Sequence, residues 1–271
     1  MGLWLETIWI IIVALCGLLA GWWASRHSST ARITAMAISF GLIGLILLSR
    51  QSALWNLMPP LRPIAAGRLR FILLTFSVTL GLTTPLSQLS SLISRFATCV
   101  IMSIFIAILI TLPFLGPALI QRDLSDTPTR FDDDGVCLQS LSFTCGPAAA
   151  VTALQSFGFD AAEGTLAVAA RTSPIIGTSP WNLYQAVKSG YAGTGLRCSF
   201  RYLDSLEDTP QGSVVLVVVK DAMLTDHCVA VMGYTDRTVT IADPMEGLIQ
   251  MPRAEFSRQW RRCGIILQRP L

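Results

Sequence analysis

The stretch HCVAVMGYTDRTVTIADP runs from His227 to Pro244. Two runs rich in β-branched residues, 228–234 and 238–242, flank a three-residue turn, TDR. This pattern predicts a β-hairpin. A hairpin returns its two ends to one place, so His227 and Asp243 are expected as neighbours at the open end. The histidine opens its strand, which sets its ring at the end of a sheet, facing a cleft rather than a core. Asp243 precedes proline and by itself reads as a turn opener. Beside a histidine it has a second use, because a carboxylate fixes the tautomer and orientation of an imidazole.

A histidine held in this way serves a nucleophile, and CLQSLSFTCGPAAA, residues 137–150, supplies one. Cys145 stands directly before Gly146-Pro147 and an alanine-rich helix spanning 147–157 that stops at Gly158. Proline at a first helical position wastes no donor. The free N–H groups and dipole at that helix start favour a thiolate, the form that attacks a carbonyl carbon. Gln139 lies six residues earlier, where its amide could join the Cys145 N–H around an oxyanion. Cys137 is expected to be buried as a small apolar residue.

The remaining chain after residue 137 alternates helix and strand signals. Residues 161–171 read as a second helix, and Ser179-Pro180 as an N-cap and first position of a third, ending KSGY. SVVLVVV, 213–219, is a strand buried on both faces; 254–262 reads as a short helix with Phe256 and Trp260 on one side, and 265–268 as a last strand. Helices come first and strands cluster later, an α+β order.

The N-terminal part expects lipid. Of the 271 residues 52% are apolar and only 14% charged, against about 25% charged in ordinary globular chains. Before residue 121 the only acid is Glu6, while sixteen of the seventeen acids follow it, so the net charge of +3 hides two regimes. Four apolar runs, 8–24, 33–49, 71–92 and 96–120, are expected as transmembrane spans. The third, with its polar TTPLSQLSS, is the weakest of the four. The first lacks a preceding base and is followed by three more runs, so it reads as a retained span rather than a cleaved signal. Trp9, Trp22 and Trp23 are expected as interfacial anchors, and Gly17 and Gly21 as ordinary membrane glycines rather than a helix contact. Arg50, Arg62, Arg68 and Arg70 on one side outnumber Arg26, Arg32 and Arg95 on the other, which leans the C-terminal domain toward the cytoplasm. Residues 121–136, polar and acidic, read as a linker. No Lys/Arg block points to nucleic acid. Seven cysteines, five of them unevenly spaced after residue 136, argue against a disulfide framework and suit a cytosol-facing domain.

Q-x5-C-G, a helix, and then H and D-P sixteen residues apart resemble the C39 peptidases. These are papain-like cysteine proteases that trim leader peptides after a double glycine, often fused to peptide-exporting ABC transporters. The resemblance covers residues 137–250 and extends to GTS, 177–179, and DPMEG, 243–247. It implies a papain-like α+β domain at 137–271, N-terminal helices on an antiparallel sheet, preceded by an all-α membrane domain at 1–120. It implies Cys145 as nucleophile, His227 as general base and acid, Asp243 as its orienting carboxylate and Gln139 as oxyanion donor, with no cofactor and no metal. The expected partners are a peptide or protein substrate, the lipid bilayer and a separate peptide exporter, and the expected location is a bacterial cytoplasmic membrane. Two departures are visible. Thr144 stands where the family commonly has Asp or a small polar residue, and no G-x4-G-K-[ST] occurs, so no ATPase half is expected. Two other chemistries remain open on these residues, a non-catalytic peptide-binding module and a papain-like acyltransferase. Metal binding through Cys137, Cys145, His227 and Cys228 has the wrong ligand spacing.

Overall fold

The computed structural model describes residues 3–51, 69–108, 112–222 and 225–269. Its contacts divide the chain into two compact units, Met1–Ser49 with Arg68–Gly116 and Arg50–Gly67 with Pro117–Leu271.

The first unit is helical: α1 (Leu3–Arg26), α2 (Ser29–Gln51), α3 (Leu69–Thr83) and α4 (Leu92–Ile106). Among the described residues three stretches are long and apolar enough to cross a membrane, Ile8–Arg26, Ser29–Gln51 and Leu69–Gln88. The third run, the weakest of the four in the sequence, is among them. Within it the hydroxyls are satisfied by their own helix: Thr75, Ser77, Thr79 and Thr83 donate to the carbonyls four residues back, at 2.8, 2.7, 2.8 and 2.6 Å. The fourth forms the shorter α4 and then α5 (Leu112–Leu119); residues 109–111 of that run, and Arg62 and Arg68 of the charge count, lie outside the described residues.

Gly17 and Gly21 form the seam between α1 and α3, contrary to their reading as incidental glycines. A Cβ on Gly17 would overlap the Thr79 hydroxyl, and one on Gly21 would stand 2.8 Å from Thr83 Cβ and 2.9 Å from the Leu80 carbonyl. Small residues let backbones meet closely where no hydrophobic force distinguishes helix from lipid. On the other side of α3, Ser39 of α2 donates to the Ser77 carbonyl at 2.7 Å.

The second unit is α+β. After α6 (Gln121–Ser125), β1 (Arg130–Phe131) pairs with β2 (Cys137–Leu138). The helices α7 (Cys145–Ser156), α8 (Glu163–Ala169) and α9 (Pro180–Gly190) follow. The rest is β3 (Arg197–Tyr202), β4 (Val214–Lys220), β5 (Asp226–Tyr234), β6 (Thr238–Asp243), β7 (Gly247–Pro252), α10 (Arg253–Gln259) and β8 (Trp260–Gln268). The sheet is antiparallel throughout, in the order β3-β8-β4-β5-β6-β7. β4 alternates its side chains between two cores. Val214 and Leu216 join Ala148, Val151 and Leu154 of α7 and Leu183 and Val187 of α9. Val215, Val217 and Val219 join Val229, Val231, Phe256 and Trp260.

Three expectations need correction here. Residues 121–136 are not a free linker: Leu124 is fully buried, and a Cβ on Gly164 would stand 2.5 Å from its carbonyl. That segment is polar because its groups bond into the domain, as Thr129 Oγ1 does in accepting the Glu163 N–H at 2.9 Å. The helix expected at 254–262 ends at Gln259, because Trp260 turns into β8 and is buried, its Nε1 donating to the Cys263 carbonyl at 3.0 Å. β3 and β7, on the two sheet edges, lack a strong apolar alternation and were absent from the sequence reading.

The seam predicts a contrast between two glycines. Gly21→Leu should destabilise the first unit by about 1–3 kcal/mol through overpacking. Gly41→Leu, where an added Cβ meets nothing within 4 Å, should be neutral. Thermal unfolding in detergent checks this; equal melting temperatures for the two variants would contradict it.

Candidate active site

The site is built on the first turn of α7. Thr144, its N-cap, is buried, and its hydroxyl is used within its own turn: it accepts the Leu141 N–H at 3.1 Å and donates to the Leu141 carbonyl at 2.9 Å. It therefore makes no side-chain cap, and leaves the helix start open to another acceptor. Gly146 lies close-packed next. A Cβ there would lie 3.0 Å from Thr178 Cβ and 3.4 Å from Leu183 Cδ2. Thr178 is itself tied to Thr172 by a 2.7 Å hydroxyl contact, which makes the GTS segment one wall of the Cys145 turn.

The β5–β6 hairpin supplies the partners. Thr235 tightens its turn, accepting the Arg237 and Thr238 N–H groups at 3.2 and 3.0 Å. At the open end His227 Nε2 meets Asp243 Oδ1 at 2.8 Å, with both side chains nearly buried. Cys145 also acts on the ring, through hydrogen bonding and charge. The neighbouring Asp226 is held by Arg261 Nε at 3.0 Å, which anchors the base of the histidine's strand.

Asp243 is fixed from behind. Its Oδ1 also accepts the Met245 N–H at 2.7 Å, and Gly247, at φ +86°, closes the turn to β7. Burial opposes charge on Asp243, but the His227 hydrogen bond, the Met245 and Glu246 N–H groups and the His227 charge prevail and lower its pKa. Burial likewise pulls His227 down, yet hydrogen bonds to Asp243 and Cys145 and the charges of both raise it from 6.5 to about 10.

Gln139 reaches the site through the same hairpin: its N–H donates to the Pro244 carbonyl at 2.9 Å. The Cys137 N–H donates to Thr152 Oγ1 of α7 at 2.9 Å, so the segment runs between helix and hairpin. Gln139 Oε1 is buried and makes no hydrogen bond to the described residues. Cys137 is fully buried, and burial first, then the charge of Glu163, pushes its thiol up to about 12. Cys145 is half-buried. Among the described residues no three His, Cys, Asp or Glu side chains cluster as metal ligands.

All four residues singled out in the sequence thus belong to one locality. Sequence reasoning missed Thr144 as a turn clamp, the Pro244 carbonyl as an anchor, and Glu163, which grips Ser140. A proline carbonyl and a glutamate in an apparent surface helix carry no sequence signal for such roles.

The histidine's shift has a sign. Between pH 6.5 and about 10 the folded ring keeps a proton that the unfolded ring has released. Its contribution to stability is therefore complete below 6.5 and is lost as pH rises through about 10. Asp243 acts oppositely, its contribution being present above 3.8 and lost as pH falls through the depressed value. In a His27→Gln protein, NMR should find the remaining imidazole still protonated at pH 8, and Asp243→Asn should lower its midpoint by about one unit or more. A wild-type midpoint near 6.5 would contradict the geometry.

Residues 134–270, half of the chain, match the model of the Peptidase C39 family. An uncharacterized protein of Methanothermobacter thermautotrophicus is 34% identical over 142 residues, 52% of this chain and 94% of that protein. One of Methanothermobacter marburgensis is 29% identical over 148 residues, 54% of this chain and 97% of that protein. Solved structures similar to it include the peptidase domain of Streptococcus ComA, a bi-functional ABC transporter involved in quorum sensing. That domain is 20% identical with a TM-score of 0.42, covering 49% of this chain and 96% of that one. A double glycine motif protease from an AMS/PCAT transporter, in complex with the leader peptide, is 17% identical with a TM-score of 0.42, covering 54% and 96%. The family match spans the same residues that carry the cysteine, the histidine–aspartate pair and the six-stranded sheet, and by that match the chain belongs to the Peptidase C39 family.

Proposed function

We propose that the protein is a membrane-anchored cysteine peptidase in which Cys145, His227, Asp243 and Gln139 perform the chemistry. The observation that carries this is the imidazole held by the Asp243 carboxylate at 2.8 Å and raised in pKa by both Asp243 and Cys145. A ring whose pKa is raised to about 10 carries its proton at neutral pH. The proposed reaction starts with that proton on the ring, so His227 begins as the acid of the first half-reaction.

The Cys145 thiolate attacks the scissile carbonyl carbon, and the carbonyl π pair moves onto oxygen. That oxyanion takes hydrogen bonds from the Cys145 N–H and the Gln139 amide, donors that need no reorganisation when charge develops. As the oxyanion collapses the C–N bond breaks, and the leaving amine takes the proton from His227. A thioester remains on Cys145. The neutral imidazole then removes a proton from water as its oxygen adds to the thioester carbon. Collapse of the second tetrahedral species breaks the C–S bond and releases the acid, with the thiolate–imidazolium pair restored. Asp243 stays ionised and holds the ring through both halves.

The C39 resemblance supports cleavage after a double glycine and a separate exporter as the protein that receives the product. The three long apolar helices support anchoring in a membrane. Of the alternatives, a binding module needs no charged pair, and an acyltransferase would pass the same thioester to an amine instead of water.

Comparing secreted and membrane peptides of wild type with those of Cys145→Ala tests both activity and substrate. A leader-length fragment and its mature partner should disappear in the variant while the uncut peptide accumulates. Identical peptide profiles would contradict the proposal. With a peptide substrate so identified, Gln139→Ala should lower kcat by about 10²-fold or more with little change in KM.

A further inference from the structure

Glu163 is a fully buried carboxylate that the proposed reaction does not use. Burying a carboxylate is costly unless its oxygens are hydrogen-bonded. Both of them meet one residue. Oε1 accepts the Ser140 N–H at 2.9 Å, and Oε2 lies 3.0 Å from the Ser140 hydroxyl. Ser140 directly follows Gln139. Its hydroxyl also reaches the Pro128 carbonyl at 2.7 Å, and the Glu163 N–H is bonded to Thr129 Oγ1 at 2.9 Å. Gly164, which has no room for a Cβ against Leu124, Ser125 and Thr127 carbonyls, holds the start of α8 against the same segment.

The backbone is therefore gripped on both sides of the Gln139 Cα. On the hairpin side the Gln139 N–H is bonded to the Pro244 carbonyl. On the α8 side the Ser140 N–H and hydroxyl meet one carboxylate. Two contacts to one carboxylate fix rotation as well as position, which a single neutral acceptor does not do. Gln139 Oε1 makes no hydrogen bond to the described residues, so the backbone is what these contacts hold. We propose that Glu163 is a positioning residue for the oxyanion side of the site, fixing the Gln139–Ser140 peptide so that the Gln139 amide points at the reacting oxygen. This rests on the reading of Gln139 as the oxyanion donor. A residue that only braced the 121–136 segment would have no particular tie to Gln139.

The test is a double-mutant cycle in the full-length protein, with Glu163→Ala, Gln139→Ala and the pair, assayed on a peptidyl-Gly-Gly coumarin amide. Misaiming a donor by about 1 Å costs up to about 10²-fold. Glu163→Ala should therefore lower kcat about tenfold or more, with KM and the alkylation rate of Cys145 unchanged. In the Gln139→Ala background it should add less than about twofold. Glu163→Gln, which can accept the Ser140 N–H and donate to its hydroxyl, should restore most of the turnover. Full kcat in Glu163→Ala, or the same loss with and without Gln139, overturns the proposal. If Glu163→Ala does not fold, Ser140→Ala takes its place in the cycle with the same criteria. Wild-type turnover no greater than that of Cys145→Ala would sink the peptidase reading itself and the positioning role with it. An active wild type indifferent to Glu163 sinks only the latter.

Discussion

The 2.8 Å bond between His227 Nε2 and Asp243 Oδ1 is the constraint on which the site depends. It joins the first strand of a hairpin to the end of the second, so it exists only if the register between β5 and β6 is kept, Ala230 opposite Ala242 and Val231 opposite Ile241. That register is enforced by burial, because a slip of one residue would move Val229, Val231, Val239 and Ile241 out of their core. The same hairpin end holds Gln139 through the Pro244 carbonyl, and Cys145, at the start of α7, acts on the ring. Sheet packing is thereby converted into catalytic geometry.

Burial sets four of the thiols apart. Burial pushes Cys137, Cys198 and Cys263 up to about 12, and holds Cys228 well above its ordinary value, so these four remain protonated at neutral pH. Cys145, half-buried at a helix start with an imidazole raised to about 10 beside it, has the surroundings that the proposed ion pair needs. The two partners of the histidine bond agree in sense, His227 raised and Asp243 lowered, as a hydrogen-bonded ion pair requires.

The hairpin and the start of α7 are legible in the sequence because local rules dictate them. Alternation and TDR set the hairpin, and Gly146-Pro147 sets the helix start. What escapes a sequence reading is polarity that is satisfied rather than exposed. Thr83 and Thr84 open the polar stretch that weakens the third run, yet bond their own helix. The polar letters of 121–136 look like a linker, yet serve Glu163 and Ser140. Gly17 and Gly21 look incidental until α3 lies against them. In each case the partner is remote in sequence or is the backbone, and composition names neither.

The central claim is that Cys145 is the nucleophile and that His227 activates it. The most direct measurement is the rate at which iodoacetamide alkylates each cysteine of the membrane-bound protein at pH 6, read by mass spectrometry, in wild type and in His227→Ala. The account predicts that Cys145 is labelled about tenfold or more faster than Cys137, Cys198, Cys228 and Cys263, and that the advantage disappears in the variant. Labelling of Cys145 no faster than that of the buried cysteines, or a rate indifferent to His227, would contradict it.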